Sequence, residues 1–400
     1  MIRREAGFTL VELLITMVIF IFVIAAGSQI FTGMLTQFKQ QSKIAETNIE
    51  GIVGLSILRQ DIEHAGYGLP WNVTGVVDTD GDGNFWEHLP NYSEAAPTGS
   101  IPDPASFNDA TRNIDGDGYV GEAPRAILSG NNVGFNGSDY LVIKSVNVSR
   151  SVTAQKWTNL KVGDVKTTWT PDCENVNKTQ SCTTNNNVRV IVISPGNTSA
   201  NRGSLVVSGG AFFTQYNNTA GFAPADSTET RIIYGVSSST DLRMPFNRAD
   251  YFISNANVPQ RCAPNTGVLE KVVVNQGDGG LTNFLPLLDC AADMQVIYRI
   301  DTNNDGTIDS NTDNIATLTD TNGNGVIDAQ EIREQIKEVR VYILAHEGQY
   351  DRNYTYPNAS ITVGEFGLGS TFNLATTIGA NWQNYRWKLY TIAVKPNNLR

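Results

Sequence analysis

Histidine is nearly absent from this 400-residue chain: His64, His88 and His346 are the only three. None sits in an H-E-x-x-H pair, and the sequence contains no G-x-S-x-G elbow and no phosphate-binding glycine loop. The side chains that metalloproteases, serine hydrolases and nucleotide hydrolases need are therefore missing, and the chain reads as a non-enzyme. Cysteine is scarce too. Cys173, Cys182, Cys262 and Cys290 include no C-x-x-C pair, which disfavours a zinc cluster. Basic residues are outnumbered, 29 Lys+Arg against 40 Asp+Glu, and the net charge of −11 argues against nucleic acid as a partner. No repeat of fixed period and no clear linker divides the sequence. Two features remain: an apolar amino-terminal run and a set of Asp/Gly loops.

Residues 1–7 (MIRREAG) form a short basic leader, and residue 8 begins FTLVELLITMVIFIFVIAAGSQI, an apolar helix with one acid, Glu12. A carboxylate inside a membrane span costs about 2.5–3.5 kcal/mol on insertion scales, so it needs a partner. Arg3 and Arg4 hold the leader in the cytoplasm. A secretory signal has an apolar core of about 7–15 residues closed by small residues. Here the uncharged run from Leu13 to Ser28 has no convincing A-x-A site. A plain signal anchor explains the length and the arginines but not Gly-Phe-Thr-Leu-Val-Glu. Cleavage between Gly7 and Phe8 would create an α-ammonium at Phe8, able to pair with Glu12 of a neighbouring copy.

GFTLVELL resembles the processing motif of type IV prepilins and of the related pseudopilins of type II secretion. The resemblance implies cleavage after Gly7 by a prepilin peptidase, N-methylation of Phe8, and a docking role for Glu12. Three further stretches are similar to minor pilins of the PilW family: RQDIEHAGYGLP (59–70), LLDCAADMQVIYRIDTNNDGTIDS (287–310) and NYRWKLYTIAVKPNNL (384–399). Residues 70–135 have no counterpart in it and read as an insertion.

The helix is expected to continue past the span. Phe31, Met34, Leu35, Phe38, Ala45, Ile49, Ile52 and Val53 recur as one apolar stripe, and Gly66, Gly68 and Pro70 end it. A helix from Phe8 to Ala65 would be about 85 Å long, half in lipid or a filament core and half against a globular head. Strands are expected at 140–143, 188–193, 205–207, 231–234, 271–274, 295–300, 338–344 and 386–394, the last two alternating as half-buried strands do. The fold expected is α+β and type IV pilin-like, with a long amino-terminal helix packed on an antiparallel sheet with large loop insertions. Its parts are a leader (1–7), a transmembrane or filament-core helix (8–30), its amphipathic continuation (31–66) and a β-rich periplasmic or extracellular head (67–400). With the arginines inside, the cysteines lie in an oxidising compartment. Four cysteines allow three pairings; Cys173–Cys182 and Cys262–Cys290 is the favoured one.

The acidity is concentrated in loops spaced for calcium. Asp320, Asn322, Asn324, Val326 (carbonyl), Asp328 and Glu331 fit the twelve-residue oxygen-ligand pattern, with Gly325 at the sharp turn. Asp301, Asn303, Asp305, Thr307 (carbonyl) and Asp309 repeat its opening, but Thr312 stands at the last position, leaving Asp313 to substitute. Asp78, Asp80 and Asp82, and Asn113, Asp115 and Asp117, have only the opening triad, with Glu87 and Glu122 at the tenth position. Each loop alone could be a solvated Asp-Gly turn; four together point to calcium as a structural cofactor.

These features imply a minor pilin made as a single-pass inner-membrane prepilin with a periplasmic head. It would join other minor pilins and the major pilin on the inner-membrane assembly platform, prime the filament and remain near its tip at the cell surface. A J-type pseudopilin of type II secretion shares the leader and the tip role. A calcium-dependent tip adhesin carried on a pilin helix is the rival of a different class.

Overall fold

The computed structural model describes residues 9–100, 102–166, 188–196 and 203–399. One helix, Leu10–Glu63, leads into a region rich in β-structure. Leucine, isoleucine and methionine favour helix, and Thr9 caps its start with Glu12 in a reciprocal capping box. Gly66 and Gly68, both at positive φ, then turn the chain away.

The main sheet is antiparallel. Its order is Arg386–Val394, Ile336–Glu347, Leu281–Ile300, Gly267–Val274, Asn247–Ser254, Tyr140–Ser145 and Ile127–Gly130, with Ser310–Thr312 paired to the end of the long third strand. A second sheet gathers Asn72–Thr74, Ser204–Val206, Arg189–Ser194, Arg231–Ser237, Trp157–Lys161 and Val165–Lys166 around its own core of Ile191, Ile193, Leu205 and Phe212. Its first pair, Asn72–Thr74 with Ser204–Val206, is parallel.

The helix lies on the carboxy-terminal side of the main sheet, against the strands Leu281–Ile300, Ile336–Glu347 and Arg386–Val394. Leu55, Leu58 and Ile62 join Leu287, Leu288, Met294, Val341 and Ile343 in one core. The buried face is Thr47, Gly51, Gly54, Leu55, Leu58, Asp61, Ile62 and Ala65. This corrects the amphipathic reading of 31–66, because Phe31, Met34, Leu35, Phe38, Ala45, Ile49, Ile52 and Val53 are all exposed. The reason is close approach. A Cβ at Gly54 would stand 1.8 Å from the Leu287 carbonyl oxygen, so only a glycine lets the helix settle there. The sheet's other face is also covered: Tyr342, Leu344 and Trp387 pack with Val363, Phe372 and Leu374 of the Ser360–Val363/Ser370–Asn373 hairpin region. Ile336–Glu347 is therefore buried on both faces, not one as its alternation suggested.

All eight expected strands overlap observed ones, but the central Asn247–Ser254 strand was missed. Its alternation is hidden by Arg248 and Asp250, both fully buried. They belong to an ionic network that pulls residues 94–125 of the supposed insertion into the core. Lys144 Nζ lies 2.6 Å from Glu94 Oε2 and 2.6 Å from Asp109 Oδ2. Arg248 donates to Asp250 through Nε at 2.7 Å and to Asn108 Oδ1 at 2.7 Å. The ionic partners and Arg125 hold the Asp109 carboxyl down to about 2 against the effect of burial.

Candidate functional site: helix start and acidic loops

Gly7 and Phe8 lie outside the described residues, and so do Cys173 and Cys182. Glu12 is described. Its Oε2 accepts from the Thr9 N–H and from the Thr9 hydroxyl, each at 2.9 Å, while Thr9 Oγ1 accepts from the Glu12 N–H at 3.3 Å. The carboxylate is thereby folded back onto the first turn of the helix. Every residue from Thr9 to Lys39 is exposed. The helix is long and apolar enough there to cross a membrane, which is consistent with membrane anchoring.

At the junction with the head, Asp61 is held by donors from three elements. Its Oδ1 accepts from Arg150 Nη2 at 2.9 Å and Nε at 3.1 Å, and its Oδ2 accepts from Lys271 and the Tyr251 hydroxyl. Lys271 also donates to the Val148 carbonyl at 2.6 Å. Sequence reasoning included Asp61 in a family stretch but assigned it no role. An acid one helical turn after Leu58 on the buried face was the available signal. Cys262 and Cys290 form a disulfide beside His346, whose Nε2 accepts from the Ala263 N–H at 2.8 Å.

The loop at 320–331 is held by hydrogen bonds within itself. Asp320 accepts from the N–H groups of Gly323 (2.7 Å) and Gly325 (2.8 Å), and Asp328 accepts from the side-chain amides of Asn322 (2.8 Å) and Asn324 (3.1 Å). A 3-10 turn, Ile315–Thr317, precedes the loop, and the helix Ala329–Gln335 follows with Asp328 as its cap. Glu331 Oε2 accepts from the Asp328 N–H at 3.1 Å. Burial and the adjoining Asp328 carboxylate push the Glu331 carboxyl up. The donor set, all hard oxygen, fits calcium.

The loop at 301–309 is more closed on itself. Asp301 accepts from Asp305 N–H (3.1 Å) and Gly306 N–H (2.8 Å), Asn303 from Asp305 N–H (3.0 Å), and Asp305 from Thr307 N–H (2.8 Å). Asp309 turns to the hydroxyl of Thr302 at 2.9 Å, and Lys337 Nζ stands 3.5 Å from Asp301. Asp313, the expected substitute for the last ligand, is engaged elsewhere. Its carboxylate accepts from the Gly369 N–H at 3.2 Å, because Ser310–Thr312 is drawn into the sheet just before it.

The two shortest loops are brought together, which their sequence separation concealed. Carboxylate oxygens of Asp80, Glu87 and Asp117 lie within 4.8 Å of one another, and so do those of Asp82, Glu87 and Asp115. The Asn84 side-chain amide links them, donating to Gly121 O at 3.0 Å, with Glu87 Oε2 and Glu122 Oε1 each at 3.4 Å.

Residues 2–28 match the prokaryotic N-terminal methylation motif. No curated protein and no solved structure matches the chain. The motif marks a type IV pilin- or pseudopilin-like protein, and implies processing by a prepilin peptidase and assembly with other pilins. The same motif suggests a structural part.

Proposed function

We propose that the protein is a minor pilin of the PilW type that primes type IV pilus assembly and stays near the filament tip. One observation carries the reading: a methylation motif at residues 2–28 opens a helix that is fully exposed to Lys39 and meets its own head only beyond that. An apolar rod left bare by its own chain suits lipid first and neighbouring rods later. The short box between Thr9 and Glu12 keeps the acid beside the helix start, where the ammonium of a neighbouring Phe8 would reach it. A head this large would crowd a helical shaft and suits a tip. In this reading the loops at 301–309 and 320–331 bind calcium once the head is outside the cytoplasm and stiffen the connections between strands.

The test is mass spectrometry of the mature amino terminus, in which a chain beginning with methylated Phe8 is expected. A chain that retains Met1 in cells with an active prepilin peptidase would overturn the reading. A J-type pseudopilin of type II secretion shares the same motif. It is separated by deletion: loss of pili with secretion intact supports the pilus, and the reverse supports the pseudopilus.

A further inference from the structure

We infer that the loops at 78–83 and 113–118 form a single divalent-cation site of the calcium class, with Glu87 as the ligand common to both. Sequence spacing makes them two incomplete loops, each lacking the acid at its end. In space each supplies what the other lacks, because Asp80 and Asp82 from one and Asp115 and Asp117 from the other converge on Glu87.

The independent sign of a missing ligand is Glu87 itself. Its side chain is 2% exposed, yet Oε1 makes no hydrogen bond. The nearest ring nitrogen, His88 Nε2, lies 3.2 Å from Oε1 and 3.3 Å from the Thr79 backbone nitrogen. Among the described residues no lysine or arginine forms an ion pair with Asp80, Asp82, Glu87, Asp115 or Asp117; only His88 approaches them. Oxygen dominates the donor set, which suits calcium over softer metals.

A filled site would clasp the segment around Trp86 to the one around Gly121. Arg112 continues the link, donating to the Ile327 carbonyl at 3.2 Å within the 320–331 loop. The inference does not depend on the pilin reading or on calcium at 301–309 and 320–331.

Calcium bound by the full chain in detergent, counted by elemental analysis after equilibrium dialysis, tests it. Glu87→Gln, Asp82→Asn and Asp115→Asn should each lose the same ions, and the Asp82→Asn/Asp115→Asn double variant should lose no more than either single. Both aspartates are exposed, and near-ultraviolet circular dichroism checks that the variants are folded. Additive losses from the two loops would mean independent sites and overturn the shared one. Unchanged calcium in all variants would overturn the site altogether.

Discussion

Asp61→Ala should detach the head from its helix more severely than any exposed change. Asp61 and Lys271 are 4% and 3% exposed at their side chains, so neither can turn to water when the other is removed. Arg150, the third charged partner, is 32% exposed and can resolvate. The loss therefore falls on Lys271, whose pKa is already lowered by burial and held against that by Asp61. Breaking a buried pair by deleting one member costs about 3–5 kcal/mol, and the freedom of Arg150 places the expectation near about 3. Tyr251 adds a stranded hydroxyl, worth about 1–3 kcal/mol if no water reaches it. Replacing all three polar ends together, Asp61→Leu with Lys271→Met and Tyr251→Phe, should recover most of the loss, since apolar substitutes for buried ion pairs are often neutral. Urea unfolding of the detergent-solubilised chain, followed by tryptophan fluorescence, measures both variants. A cost below about 1 kcal/mol for Asp61→Ala, the range of an exposed pair, would refute the reasoning. So would a triple variant as unstable as the single.

Gly54→Val should loosen the same junction by steric exclusion, because any Cβ meets the Leu287 carbonyl; faster proteolysis between helix and head is the readout, with exposed Gly33→Val as the harmless control. His346 is held down to about 3 by burial, so its contribution to stability is complete above pH about 6.5 and declines as pH falls toward 3. The slope approaches about 1.4 kcal/mol per pH unit, and His346→Leu should flatten urea midpoints between pH 6 and 4 whatever it does to stability at pH 7. Calcium at about 100 times its dissociation constant adds about 2.7 kcal/mol per site, which for a chain of this size corresponds to a rise of about 3 °C per site in thermal melts relative to chelator; Glu331→Gln should reduce the rise. Glu12→Ala should leave the chain in the membrane and reduce its incorporation into filaments, read by fractionating sheared pili from cells; normal incorporation would remove the docking role.

Sequence pattern was most informative where one physical demand dominates. The first part of the Leu10–Glu63 helix follows from its apolar run, and Arg386–Val394 from a partly alternating apolar pattern. It was least informative where polar residues are buried. Asn247–Ser254 carries Arg248 and Asp250 inward, so its pattern reads as surface although it lies near the middle of the sheet. The same network absorbs Glu94 and Asp109, which is why residues 70–135 resembled a detachable insertion while supplying counter-charges to the core. Gly51 and Gly54 illustrate a different ambiguity. Within one strand of sequence they can only weaken a helix; with Leu288 and Leu287 opposite, they select the face on which the head docks.

Acidic loops divide along the same line. The spacing at 320–331 is complete within twelve residues, so one stretch of chain names nearly all its ligands. At 78–83 and 113–118 the completing carboxylates come from the other loop, and no periodicity can report that. Glu87 was visible as an acid at the tenth position, yet its value lies in its buried Oε1, which has no hydrogen-bond partner among the described residues. Arg112 then joins this pair to the 320–331 loop. Calcium at one loop should thus tighten its neighbour. If so, titration of the Arg112→Ala variant would retain the ions and lose their cooperativity, whereas an unchanged binding curve would leave the loops as separate struts.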